Sequence, residues 1–287
     1  MKLGEWQFRA VHDGRFKLDG GAMFGVVPKI FWEKQHPADD MNRIELDLRC
    51  LLAEHGTRRI LVDVGMGDRW DARKVGVFDL RRRPNHLVAE LAEAGITRES
   101  ITDVILTHLH FDHSGGLLRA ADDGTLEPVF PNATVWLQRR HWEWAANPSP
   151  RDRASFRPAD FGLLKDNEKL RLVEGRAEIL PGVVVMPVSG HTPGQQMVEF
   201  HTGERTLVYC ADLIPFRSQV HVPWIMGFDL NPLLTVTEKQ NFLTRAVEDG
   251  YILVFEHDPL HEACTVVFAD GKFQPAQTFT LAQPELD

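Results

Sequence analysis

The stretch Thr107-His108-Leu109-His110-Phe111-Asp112-His113 sets three imidazoles and a carboxylate within six residues of one another. It follows the apolar run Ile101–Leu106, which reads as a buried strand. Nitrogen and oxygen donors crowded in this way have one common use, holding a borderline divalent cation. In extended backbone, positions 108 and 110 point the same way, so both rings can share one ion. Asp112 and His113 point elsewhere, which suits a second ion beside the first.

Three further strand ends supply the remaining ligands. Val183–Val188 leads to Ser189-Gly190-His191-Thr192-Pro193-Gly194. Leu207-Val208-Tyr209-Cys210-Ala211 ends in Asp212, and Ile252-Leu253-Val254-Phe255-Glu256 ends in His257. These give His108, His110 and His191 for one metal, and Asp112, His113 and His257 for the other. Asp212 can bridge the two. A structural zinc staple would be closed and rich in Cys, whereas this set contains no Cys and leaves coordination positions open, as catalytic sites do. Cations of this kind lower the pKa of bound water from about 15.7 toward about 7. Asp112 is placed to pass a proton to a leaving group. No GxSxG nucleophile motif competes.

The order HxHxDH, then His, Asp and His at strand ends, resembles the metallo-β-lactamase-fold hydrolase superfamily. Ile60-Leu61-Val62-Asp63-Val64-Gly65 is similar to the first motif of that superfamily. The resemblance implies an α/β fold, an αββα sandwich, with Asp63 supporting the ligands rather than coordinating. It also implies two divalent metal ions, zinc by default, with Fe, Mn or Co able to use the same donors.

Two further segments resemble the quorum-quenching lactonase branch, which includes acyl-homoserine-lactone lactonases, YtnP-type enzymes and methyl parathion hydrolase. They are Leu18–Pro28 and Met226–Pro232. What this implies is hydrolysis of a lactone ester, with side activity on aryl esters or organophosphates. A homodimer is implied too, because relatives pair through their N-terminal loops. One departure stands out: lactonases of this branch place a Tyr three residues after the bridging Asp, and here that position is Pro215. Tyr209 should face away from the metals, and Tyr251 should lie a strand's length from them. A glyoxalase II-like thioester hydrolase shares the metal motifs, but it would start near the first motif and end in a helical glutathione-binding segment. A non-catalytic metal-binding protein on the same scaffold would have lost ligands.

Composition bounds the rest. The chain has 287 residues and a formal net charge of −9, which disfavours a nucleic-acid partner. The ligands span most of the chain, so the expectation is one domain over 1–287, with a loop extension at about 20–43 and a helical insertion at about 138–169. Cys50, Cys210 and Cys264 form no CxxC, and Cys210 reads as a buried strand residue. With no apolar leader and no membrane-length span, a cytoplasmic protein is expected.

Local patterning predicts a strand pair over 5–20 turning at Asp13-Gly14, and a hairpin turning near His55-Gly56. It predicts helices at Leu87–Ala94, from Ser114, at Arg139–Trp144 and at Thr237–Val247, and a polar, Pro-containing tail from Gly271 to Asp287 that carries no motif. Both insertions are expected to wall an apolar pocket. Phe24, Trp32, Trp224 and Phe228 are its candidate lining residues, with ordinary packing as the alternative for each. His221 lies in the loop after Asp212 and is a candidate substrate contact. His12, His36, His55, His86, His141, His201 and His261 read as surface or loop residues.

Overall fold

In the computed structural model, residues 1–203 and 205–282 are described. The first half contributes β1 (Lys2–Leu3), β2 (Trp6–Asp19), β3 (Arg43–His55), β4 (Arg58–Val62) and β5 (Asp103–Ile105). A small hairpin follows, β6 (Leu118–Ala120) with β7 (Leu126–Pro128), and then β8 (Thr134–Gln138) and β9 (Leu170–Val173). The first sheet has the order β1-β2-β3-β4-β5-β8-β9, parallel from β4 onward. The second sheet runs in chain order: β10 (Ala177–Leu180), β11 (Val183–Val188), β12 (Gln195–His201), β13 (Thr206–Tyr209), β14 (Ile252–Val254), β15 (Ala263–Ala269) and β16 (Lys272–Phe279). Only its β13/β14 pair is parallel.

Strand alternation builds the layers. Leu51 and Ala53 of β3, Ile60 and Val62 of β4, and Ile105 of β5 meet Val185, Val198, Phe200, Tyr209 and Val254 of the second sheet in one inter-sheet core. The intervening Cys50, Leu52, Leu61 and Val104 face outward and pack under Leu87 and Leu91 of α4 (His86–Glu93). On the far side Val208, Cys210 and Leu253 pack under Phe242, Leu243 and Ala246 of α8 (Pro232–Glu248). Both faces of each sheet are therefore covered, giving the αββα sandwich. The shorter helices are α1 (Gly20–Phe24), α2 (Lys29–Trp32), α3 (Ala72–Phe78), α5 (Phe111–Ser114), α6 (Arg139–Ala146) and α7 (Pro158–Phe161).

The expected hairpin at His55-Gly56, the helices near 87–94, 139–144 and 237–247, and the free buried cysteines are all present. Two local expectations are corrected. Asp13-Gly14 is a bulge inside one long strand, not a turn. Gly14 (φ +114°) absorbs the extra residue, and the Asp13 carboxylate accepts from Gly67 N at 2.9 Å and from Arg82 at 2.6 Å. The segment after Ser114 is a 3-10 turn leading into β6, not a helix. A Cβ on Gly115 would lie 2.1 Å from the Met66 carbonyl, and one on Gly116 2.1 Å from that of Val64, so this backbone is pressed flat against the 64–67 loop. The polar tail, on which the patterning predicts no strand either way, supplies the edge strand β16, paired antiparallel with β15; residues 283–287 lie outside the described residues.

Candidate active site

Each predicted site residue of the metal cluster and its support sits just beyond a strand end on one rim of the sandwich. β4 leads to Asp63, β5 to the 107–113 turn, β11 to His191, β13 to Asp212 and β14 to His257. Ala211 (φ +47°) and Asp63 (φ +57°) take left-handed backbone there, an uncommon state for residues with a Cβ.

The side chains converge in two groups. Donor atoms of His108, His110, His191 and Asp212 lie within 4.8 Å of one another, and so do those of Asp112, His113 and His257. Asp212 straddles them. Its Oδ2 is 3.2 Å from His191 Nε2 and 4.0 Å from His108 Nε2. Its Oδ1 is 3.3 Å from His257 Nε2 and 3.7 Å from His113 Nε2. Asp112 places its two oxygens 3.7 Å from His113 Nε2 and 3.7 Å from His257 Nε2.

The opposite ring nitrogens are held by the scaffold. Asp63 accepts from Thr107 N (2.7 Å) and Thr107 Oγ1 (2.7 Å) and lies 3.0 Å from His113 Nδ1. Thr107 Oγ1 is in turn 3.0 Å from His108 Nδ1. His191 Nδ1 is 3.0 Å from Asp229 Oδ1, and His257 Nδ1–H donates to the Asp47 carbonyl at 2.9 Å. Such outer contacts fix ring orientation and leave Nε2 facing inward.

The inward atoms are what a cation would satisfy. Among the described residues the buried Nε2 atoms of His108, His110, His113 and His257, and Oδ1 of Asp212, have no well-aligned hydrogen-bond partner, the nearest approach being His257 Nε2 to Asp212 Oδ1 at 3.3 Å. An unpaired buried polar atom costs about 1–3 kcal/mol, so five in one place are costly unless a cation occupies the space between them. The donor set fits divalent metal: imidazole and carboxylate, no thiolate.

The electrostatics point the same way. Burial, reinforced by neighbouring imidazoles, pushes His108 and His110 well below the ordinary value, leaving neutral rings. Burial works against ionised Asp212, but the imidazoles of His113, His191 and His257 outweigh it and hold the carboxyl well below its usual range. Burial likewise opposes protonation of His257, yet Asp212 lifts it to about 9. A cation entering there must displace that proton.

Of the proposed substrate contacts, Phe228 lines the cleft above this floor. The other four do not. Phe24 and Trp32 are buried, stacked on each other at 5.4 Å between centroids, with Phe24 also against Phe216. Trp224 and His221 pack edge-on together at 5.6 Å, outside the cleft lining. None of residues 25–43 lines the cleft, because α2 folds back into a core with Ile44 and Leu46; the walls come instead from Leu18, Met23, Leu46 and the 151–155 segment. Tyr209 is buried, and its hydroxyl donates to the Arg49 carbonyl at 2.6 Å.

Sequence reasoning passed over several supporting residues. Asp229 lay in a quoted segment but carried no ligand spacing. His36 and His141, read as surface or loop, are buried. His141 accepts from Leu109 N at 2.8 Å and lies 3.0 Å from the Pro193 carbonyl, so it ties both His-bearing loops together. Nothing around position 141 in the sequence signals this.

A family profile described as the Metallo-beta-lactamase superfamily matches residues 49–257. The chain therefore belongs to the metallo-beta-lactamase superfamily. It is a metal-dependent hydrolase of that superfamily. A Mycobacterium tuberculosis protein named a probable metallo-hydrolase is 29% identical over 273 residues, spanning 83% of this chain and 85% of its own. An N-acyl homoserine lactonase of a Bacillus species is 26% identical over 240 residues, spanning 79% and 87%. The crystal structure of a probable metal-dependent hydrolase from Staphylococcus aureus superimposes with a TM-score of 0.89 at 27% identity, over 100% of both chains. The dizinc quorum-quenching lactonase AidC, solved with a product, superimposes with a TM-score of 0.80 over 98% of this chain and 97% of its own; at 22% identity that likeness concerns the fold.

Proposed function

We propose that this hydrolase opens lactone esters of the N-acyl-homoserine-lactone type at a dinuclear metal centre. His108, His110 and His191 would hold one divalent ion, Asp112, His113 and His257 the other, and Asp212 would serve both. Zinc is the default, with iron, manganese or cobalt able to use the same donors. The observation that carries this reading is the position of Asp212, one oxygen toward each cluster, at the floor of an apolar cleft. Lactonases among the relatives support the choice of ester.

Two such ions, when bound, act as Lewis acids that activate water near neutral pH and polarise a carbonyl. The chain's own residues do the rest. Leu18, Met23, Leu46, Phe111 and Met226 seat an acyl chain and exclude water from the floor. Asp112 reaches the cleft floor, where its carboxylate would take the proton that the attacking water gives up and return it to the departing alkoxide. Asp63, Asp229 and the Asp47 carbonyl keep three of the imidazoles in register.

The chain works as one domain, since its floor draws on both sheets. Val26, Ile30 and Phe31 form exposed apolar surface on the 20–43 extension, which favours pairing into a homodimer. Free, buried cysteines favour a reducing, cytoplasmic setting. Among the described residues no helix is long and apolar enough to cross a membrane.

A panel of lactones, aryl esters, an organophosphate and a glutathione thioester tests the assignment on zinc-, manganese- and cobalt-loaded enzyme. Lactones should be the best substrates, with KM falling as the acyl chain lengthens, since each buried methylene is worth about 0.8 kcal/mol. Efficient thioester cleavage without any lactonase activity would move the chain to the glyoxalase II-like class.

A further inference from the structure

The cleft encloses about 390 Å³, and its walls above the metal-ligand floor are largely apolar. Arg151, Asp152 and Ser155 break that character, and Arg151 is the cation among them. Arg151 lines the cleft, is exposed, and pairs with no carboxylate among the described residues. Its guanidinium makes one hydrogen bond, from Nη2 to the Gly227 carbonyl at 2.5 Å. The adjacent Asp152 makes no ion pair with it among the described residues; its carboxylate turns away to accept from Trp144 Nε1 at 2.7 Å and Ser149 Oγ at 2.8 Å. The arginines beside the cleft are differently placed: Arg69 bonds Asp160 at 2.6 Å, and Arg157 lies 4.0 Å over the Trp70 ring.

Arg151 is also not what holds its own segment in place. Residues 149–156 are anchored by the two bonds to Asp152, by Arg153 N to Ser149 O at 2.9 Å, and by the backbone bridge between Phe156 and His110. The Gly227 side is tethered separately, its N–H donating to Ala22 O at 2.8 Å. What remains is a planar five-donor fork at the rim of an apolar cleft with most of its donors unspent. That geometry recognises a carboxylate through two parallel bonds.

We propose that Arg151 determines specificity by binding a carboxylate on the acyl arm of the substrate. The inference rests on the lactonase reading above: the ester sits on the floor, the arm runs along the apolar wall, and its acidic end meets the guanidinium. Acids are then preferred over neutral arms of equal length.

The test uses metal-loaded, full-length enzyme and homoserine lactone acylated with succinic, glutaric or adipic acid, each against its ω-methyl ester. The best acid should exceed its own methyl ester by at least about tenfold in kcat/KM, the gain residing in KM and shrinking at high salt. Arg151→Ala should bring that ratio to within roughly threefold, and Arg151→Lys should retain part of it. Calorimetric binding of the ring-opened dicarboxylates against their half-esters should lose the same preference. No preference for acids in the unaltered enzyme, or equal loss for acids and esters in Arg151→Ala, would overturn the proposal and leave Arg151 as a latch between the 149–156 and 225–229 segments. Failure to hydrolyse any lactone would sink the lactone reading instead, and the calorimetric comparison would still decide the role of Arg151.

Discussion

The backbone N–H of Leu109 donates to Nε2 of His141 across 2.8 Å. Since an N–H must donate, Nε2 is the acceptor and Nδ1 carries the proton that the Pro193 carbonyl receives at 3.0 Å. One neutral ring thus joins the loop bearing His108 and His110 to the loop bearing His191. Burial keeps it neutral, lowering its pKa to about 4. His141→Ala should orphan both backbone groups and open a cavity, costing about 2–4 kcal/mol. It should also weaken metal affinity by about 10–100-fold. Denaturant titration of the metal-free protein, with a competitive chelator assay on the loaded protein, checks the two effects separately.

Asp212 faces both clusters. Asp212→Ala should therefore lower occupancy of both ions and cut activity by about 10²-fold or more. His257→Ala should mainly empty the second position and spare the first. Elemental analysis decides: two tightly held ions per chain in Asp212→Ala would rule out the bridging role.

The convergence of these His and Asp side chains could be read from sequence because metal chemistry restricts residue type and strand ends restrict position. His108, His110 and Asp112 lie in one turn, and His191, Asp212 and His257 each end an apolar run; both signals are local. The sandwich followed from the same runs. What escaped was non-local. Asp13 looked like half of a turn, and only the approach of Gly67 and Arg82 explains a bulge there. Phe24 and Trp32 look like pocket aromatics, but whether an aromatic faces a cleft or a core depends on Phe216, far away in sequence. Arg151 follows a Pro-broken segment that carries no motif, so its place at the cleft rim could not be read in advance.

His36 gives a pH dependence separate from the metal site. It is buried, 2.8 Å from Ser218 Oγ, and burial lowers its pKa from 6.5 to about 4. The unfolded chain therefore binds a proton between pH 6.5 and about 4 that the folded chain refuses. Stability from this residue is intact above 6.5 and is lost as pH falls toward 4. From pH 7.5 to 5 the loss should be about 2 kcal/mol. Urea unfolding of the metal-free protein should show it, and His36→Asn should be flatter over the same range. An identical pH slope in that variant would mean the ring does not report the effect.

Tyr209 tests which groups serve the carbonyl. Its hydroxyl donates to the Arg49 carbonyl at 2.6 Å within the inter-sheet core, and the position three residues after Asp212 is Pro215, which has no donor. Tyr251 packs under α8 with Phe242, away from the cleft lining. Losing a true oxyanion donor costs about 10²–10³ in kcat. Tyr209→Phe and Tyr251→Phe should instead keep kcat on a lactone within roughly threefold, while Tyr209→Phe loses about 1–2 kcal/mol of stability from the stranded Arg49 carbonyl. A hundredfold fall in kcat in either variant, at unchanged metal content, would place a tyrosine at the carbonyl and contradict this account of the cleft.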